Sequence, residues 1–315
     1  MSEQKTMQFA NFNVTFGEKE EAMLTHFEDI IYPAFTANLV RGGEKDKSRY
    51  SFVNVEIKAI NGEYVLVGNF IKDTQYDIHT LYKNNELISA PSVVPTSPYS
   101  RFIVFLNNHR MVLILNESYS PNIRSFQSTV RSILEKYTFA KNSKIKNEKD
   151  KLPSANVNIV DIPLKSKIDD ALKDVDKITE FRLSFFPLNN DLDPEPLAQY
   201  IESDMNKLGS RRANLAYLSP QSKENIVDMV NKIGDLAIAL IKTKNKDGSS
   251  KSFGSEVFRF FSKVTHDKNI TEDDDSKFVD EAKKTGMIKE PSPANKNLYD
   301  SSIYFFRKLI KKTSK

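Results

Sequence analysis

Cysteine is absent from this 315-residue chain. That excludes a disulfide framework, a thiolate nucleophile and a zinc site built on sulfur. Glycine is scarce, and its 10 residues form no GxGxxG, GxSxG or phosphate-loop spacing. A nucleotide cradle made of backbone amides is therefore not expected. Histidine is scarcer still: His26, His79, His109 and His266 share no HxH or HExxH spacing, so no local metal-ligand set exists. Long apolar runs are missing too. The longest, around Met111–Leu115 and Leu236–Ile241, are strand-length, far below the roughly 18 residues of a membrane span. The stretch MSEQKTMQF lacks the basic flank and apolar core of a signal peptide. These absences predict a cytoplasmic protein that does not span a membrane and carries neither cofactor nor metal.

What is present describes a globular chain. Hydrophobic residues make up 39% and charged residues 28%, enough apolar content to build a core. The length suits two domains. Forty-six basic residues against 42 acidic ones leave a net charge of only +4, so nucleic-acid binding has to come from clustered charge. Heavy use of Lys, Asn and Ile suggests an AT-rich bacterial or phage genome.

A division falls at residues 140–153, AKNSKIKNEKDKLP, where five lysines and two acids leave almost nothing apolar. This reads as a Lys-rich linker between an N-terminal α+β domain at 1–139 and a C-terminal mixed α/β domain at 154–315. In the first half, Met7–Phe16 alternates as a strand and Glu18–Ile31 has helical spacing. Tyr50–Ile60 and Glu63–Lys72 flank Asn61-Gly62, a strong hairpin signal. Gln75–Tyr82 reads as a further strand, and Ala90–Pro98, with three prolines, as a loop. Phe102–Leu106 and Arg110–Leu115 form an almost wholly apolar hairpin that belongs deep in its sheet. A helix follows from about Ser120 to Tyr137. These elements predict a mostly antiparallel sheet covered by helices. The second half alternates: strands at Val157–Ile162, Ile178–Phe186, Ala213–Leu218 and Asp235–Thr243 have helices between them, and a Lys-rich turn at Lys244–Lys251 leads to a last strand at Phe253–Val264. Ser222 or Ser219 caps one helix and Gly209 stops another. A basic terminal helix spans Asn295–Lys312.

Two constellations carry chemistry. Glu56-Ile57-Lys58 on a strand, with Asp46 upstream, has the form of a PD-(D/E)xK nuclease motif. Glu and Lys at i and i+2 share one side of a strand and can address one metal and its water. The same pattern also describes the solvent face of an antiparallel strand. Asp191, Asp193 and Glu195, and the run Glu272 to Asp275, read as solvated caps or loops, with cation binding the alternative. The second constellation is basic. Arg41, Lys45, Lys47 and Arg49 precede Tyr50; Arg211 and Arg212 stand together; Lys244, Lys246 and Lys251 frame a turn. Arg307, Lys308, Lys311 and Lys312 crowd the terminal helix. Such groups hold phosphates, and they also serve as plain solubility devices. With no helix-turn-helix, zinc finger or RNP-type motif, binding would be largely independent of sequence.

The hairpin RFIVFLNNHRMVLIL, the helix SPNIRSFQSTVRSIL, and the later segments VNIVDIPLKSKIDDALKDV and ITEFRLSFFPLNNDLDPEPLAQYIESDM resemble, in pattern and order across about Tyr50 to Val264, the phage-exclusion family typified by RexA of phage lambda. No signature residue is shared. The resemblance implies a two-domain component of a phage-exclusion or abortive-infection system that senses infection by binding DNA or a DNA–protein complex, acts as a homodimer and signals to an effector protein; the residues themselves leave RNA open as the other nucleic acid. The residues themselves support three readings: a nucleic-acid-binding protein, a metal-dependent nuclease using Asp46, Glu56 and Lys58, or a protein-interaction module without nucleic acid.

Overall fold

The computed structural model describes residues 3–189, 194–245, 247–266 and 269–313, with side chains through residue 310. The fold is α+β. The first half contributes β1 (Glu3–Phe16), β2 (Glu21–Ala22), α1 (Tyr32–Thr36), β3 (Val40–Arg41), β4 (Ser48–Ile60), β5 (Glu63–Lys83), β6 (Glu86–Thr96), β7 (Tyr99–Phe105), β8 (Arg110–Leu115) and α2 (Ile123–Asn142). The second half contributes β9 (Ala155–Asp161), α3 (Lys165–Leu172), β10 (Lys177–Phe185), α4 (Pro196–Leu208), β11 (Ala213–Leu218), α5 (Lys223–Ile233) and β12 (Ala237–Lys244). It ends with β13 (Ser250–Gly254), α6 (Ser255–Phe258), β14 (Phe261–His266), α7 (Asp275–Lys284) and α8 (Pro293–Thr313).

A ten-stranded sheet runs β14-β1-β8-β7-β5-β4-β3, with β2 and β9 also on β1 and β6 on β5; a four-stranded sheet runs β11-β10-β12-β13. All pairs are antiparallel, in the second sheet as in the first, so the mixed sheet expected of the second half is antiparallel. The boundary at 140–153 does not separate the two sheets. β14 pairs residues 3–8 of β1, and β9 pairs residues 10–16 along the same edge. The Ile162 amide fills the gap between them by donating to the Phe9 carbonyl at 3.1 Å. On the other edge β8 pairs residues 6–11. Nor is the Lys-rich segment a free tether. α2 runs into it as far as Asn142, whose side chain donates to the Leu152 carbonyl at 2.9 Å and accepts from the Leu152 amide at 2.8 Å. That clasp closes a short loop against the body.

Both faces of the large sheet are covered, which explains the unbroken apolar runs Phe102–Phe105 of β7 and Met111–Leu115 of β8. One face packs Phe12, Phe52, Phe102 and Phe126 beneath α1, α2 and α8, with Phe52 and Phe126 rings 5.1 Å apart. α2 supplies Phe126, Val130, Ile133 and Leu134 at helical spacing, and Asn122 caps it by accepting from the Ser125 amide. The other face packs Met7, Phe9, Val67 and Ile103 against Phe278 and Val279 of α7. Gly68 serves the first of these faces, because an added Cβ would sit 2.7 Å from the Phe102 ring. A separate core joins β10 and β12 to α3, α4 and α5 through Ile168, Leu183, Val230 and Ile241.

Several local expectations hold. Asn61 and Gly62 turn with φ of 51° and 83°, Ser222 caps α5, and Gly209 ends α4 in the left-handed conformation at φ 63°. Others are corrected. The Pro-bearing loop at Ala90–Pro98 is largely strand β6, because among the described residues it pairs only with β5 and so sits at an edge where proline is tolerated. Glu18–Ile31 is not one helix: a turn and β2 come first, then irregular helical turns leading into α1. Phe253–Val264 is not one strand: α6 breaks it, and its two halves join different sheets.

Where β1 leaves the cover of α7, the residues on that face become polar, Asn11, Asn13 and Thr15, while Phe12, Val14 and Phe16 stay in the core on the other face. Asn13 donates to the Pro187 carbonyl at 2.7 Å and accepts from the Asn189 amide at 2.8 Å. The Asn189 amide group lies 2.8 Å from His109 Nδ1. Beside it Arg110, fully buried, reaches Asp235 at 2.6 Å, and Lys289 shares that carboxylate at 2.8 Å.

Two buried groups near this junction titrate in opposite senses. Burial pushes His109 down to about 4, against a weaker upward pull from Asn189. Burial, reinforced by Glu256 and opposed by Arg259, pushes Asp161 up to about 6. Below the ordinary histidine value of 6.5 the unfolded chain protonates residue 109 before the folded chain does, so acid lowers stability until about pH 4. Between about 6 and 3.8 the folded chain holds a proton on Asp161 that the unfolded chain has released, so acid raises stability. Each effect totals about 3 kcal/mol and they largely offset. Urea unfolding at several pH values checks this. Relative to wild type, His109→Asn, which suits the left-handed φ of 52° there, should gain stability as pH falls toward 4. Asp161→Asn should be most stabilising at neutral pH and lose that advantage in acid. Curves parallel to wild type would refute both assignments.

Candidate functional site

The nuclease residues do not come together. Glu56 and Lys58 do share one side of β4, with their charged groups 3.3 Å apart. Asp46 lies beyond the far end of the same strand, where it accepts from the Gly43 amide at 2.6 Å. At about 3.3 Å per residue that places it on the order of 25 Å from Glu56. Lys58 instead joins a structural network, at 2.8 Å from Asp275 and 2.7 Å from the Glu272 carbonyl. Asp275 is not a solvated loop acid. It is buried and takes Arg101 Nε at 2.8 Å and Nη2 at 2.7 Å. Its neighbour Asp274 closes a capping box with Thr271. Asp191 and Asp193 lie outside the described residues, and Glu195 sits at the N-cap of α4 without a side-chain cap bond. Among the described residues no three His, Asp or Glu side chains are grouped to hold a metal.

The basic residues singled out from the sequence are dispersed. Arg41 is packed against the body: its Nε donates to Thr129 at 2.9 Å and its guanidinium lies 4.0 Å above the Tyr50 ring. Lys45, Lys47 and Arg49 share their surface with Glu44, Asp46, Asp73 and Asp77. Lys251 faces Asp170, Asp174 and Asp247; Lys244 is exposed on the same hairpin, and Lys246 lies outside the described residues. Arg211 and Arg212 are exposed between α4 and β11. Arg307 donates to the Tyr64 hydroxyl at 3.1 Å, near the opposite end of β4 from Arg49. Lys308 is exposed, and the side chains of Lys311 and Lys312 lie outside the described set. A further basic surface lies elsewhere. Residues 122–151 hold eight lysines and arginines against three acids, more than the whole chain's net charge of +4. Arg124, Arg131, Lys141, Lys144, Lys146 and Lys149 are all exposed.

The largest anomaly is apolar. Past Thr74, β5 has lost β4 and β7 and continues with β6 alone to a turn at Asn84 and Asn85, whose φ values are 53° and 65°. The result is a two-stranded arm about 30 Å long. It carries Tyr76, Leu81 and Tyr82 on one strand and Leu87, Ile88, Val93 and Val94 on the other, all exposed, Leu87 at 76% and Tyr82 at 70%. Leu81 pairs with Ile88 and Tyr82 with Leu87. Successive pairs point to opposite faces, so neither face of the tip is polar. The arm holds few charges, Asp77, Lys83 and Glu86, which does not suit a phosphate backbone. An isolated hairpin is marginal in water, and contiguous exposed apolar area marks an interaction surface. Alternation alone could not reveal this, because a strand buried on one side reads the same way.

No protein-family model, curated protein or solved structure matches this chain. No helix among the described residues is long and apolar enough to cross a membrane.

The network around Asp275 gives a test of its role. Asp275→Ala strands the fully buried Arg101 guanidinium and should cost about 3–5 kcal/mol. Glu56→Ala removes only a partly exposed pair, each side chain about a quarter exposed, and leaves no fully buried charge alone, so it should cost about 1 kcal/mol. Denaturant unfolding of the two variants should separate them. Equal losses would contradict this division.

Proposed function

We propose that the protein works by assembly: the arm at 74–96 docks onto a second copy of the chain, and the resulting dimer presents two basic α2 surfaces to a nucleic-acid backbone. The observation that carries the first half is the arm itself. Its seven exposed apolar residues offer on the order of 700 Å², close to the roughly 800 Å² per partner of a stable interface. Both of its strand edges are open among the described pairings. A second copy supplies the same open edge and the same apolar faces, as a two-fold interface requires.

The nucleic-acid half is supported by the concentration of positive charge on α2 and the loop after it. Such a surface binds phosphates without reading bases. DNA is the favoured acid, with RNA the alternative. A role in phage exclusion, with an effector protein downstream, rests on the pattern resemblance across about Tyr50 to Val264 and belongs to the same proposal.

Light scattering tests the assembly. Wild type should have twice the 36.0 kDa chain mass, and Tyr82→Ser/Leu87→Ser should be monomeric with an unchanged melting temperature. A wild-type monomer at high micromolar concentration would overturn the dimer. Gel retardation with labelled DNA and RNA at two salt concentrations tests the second half. Lys144→Ala/Lys146→Ala/Lys149→Ala should weaken binding about tenfold and flatten its salt dependence. No retardation by wild type at low salt would remove the nucleic-acid reading and leave the dimer standing.

A further inference from the structure

Where β9 ends, a cleft of about 480 Å³ opens between the first turn of α2, β12 and α6. That volume is typical of a small-molecule site. Ile123, Ile159, Val160 and Ile238 form its apolar lining. Asp161 and Arg259 also line it and lie side by side without closing on each other. Arg259 Nε is 3.6 Å from the Asp161 carboxylate, beyond a hydrogen bond, and donates instead to the Glu256 carbonyl at 3.0 Å. The Asp161 side chain is only 12% exposed, and its Oδ1 is buried with no hydrogen-bond partner. A buried carboxylate left in that state is costly, as its upward-shifted titration reflects. A position that only held the fold together would gain from replacing it.

The charges define the ligand. Arg124 and Glu256 also line the cleft, so two cations face two carboxylates. A polyphosphate would meet Asp161 and Glu256 with repulsion; a simple cation would meet Arg124 and Arg259. A zwitterion that carries both signs close together matches the Asp161–Arg259 pair. We infer that this cleft binds a free α-amino acid or short peptide with an apolar side chain. Its ammonium group sits on Asp161, its carboxylate on Arg259 and its side chain against Ile123 and Ile238. This inference does not depend on the arm or on nucleic-acid binding.

Calorimetric titration at pH 7.5 tests it, with leucine, phenylalanine and leucyl-leucine as ligands. N-acetyl-leucine and leucinamide serve as probes lacking one charge, and AMP as a competing class. At least one zwitterion should bind, and blocking either of its charged ends should weaken binding at least tenfold. Asp161→Asn and Arg259→Gln should each do the same. Because Asp161→Asn should also raise the melting temperature at this pH, its loss of binding cannot be put down to misfolding. Absence of binding by every zwitterion, unchanged affinity in Asp161→Asn, or tighter binding of AMP than of any zwitterion would overturn the inference.

Discussion

The structure depends on satisfying the backbone of one strand. β1 is buried from Met7 to Phe16, so each of its amides and carbonyls needs a partner inside the protein. β8 supplies one edge. The other edge is completed only by β9 and β14, placed end to end, with Ile162 bridging the gap. Two distant segments of the second half thus become part of the first half's sheet. The chain has three cores on two sheets, but one of those sheets is built from both halves.

Buried charge reinforces the same joins. Arg101 on β7 is matched by Asp275 on α7, and Arg110 on β8 by Asp235 just before β12. Each arginine is fully buried, and each carboxylate comes from the second half. Replacing such pairs by apolar residues is often neutral, so their value lies less in net stability than in registration. A misplaced α7 would leave Arg101 without its counter-ion. The asparagines of β1 act similarly at the polar junction, where Asn13 and Asn189 fix one backbone against another.

Local chemistry made much of this legible in the sequence. Asn61-Gly62 declared its hairpin, Ser222 and Gly209 declared helix ends, and the unbroken apolar runs of β7 and β8 declared a strand covered on both faces. What stayed hidden depends on partners far along the chain. The prolines of β6 read as a loop because nothing local says that the strand is an edge. Asp275 read as one acid in a solvated run because its arginine lies 174 positions away. Residues 140–153 read as a tether because lysine content says nothing of the Asn142–Leu152 clasp. The basic surface was partly visible: Arg124 and Arg131, seven residues apart, lie on one face of a helix whose opposite stripe is apolar. Asp161 gave no signal, since a lone acid at a strand end is ordinary until its surroundings are known.

The pairing of β1 has a consequence for how the protein is made. On the ribosome β1 emerges some 250 residues ahead of the end of its last partner, His266. Until then an apolar strand waits with one edge open, a template for mispairing with neighbouring nascent chains. Contacts of such long sequence separation also form slowly. Translation pauses, chaperone supply and premature termination should therefore govern the yield of folded protein more than changes on its surface. A fragment that stops at residue 139, however compact it looks on paper, should emerge as an aggregating chain and not as a domain.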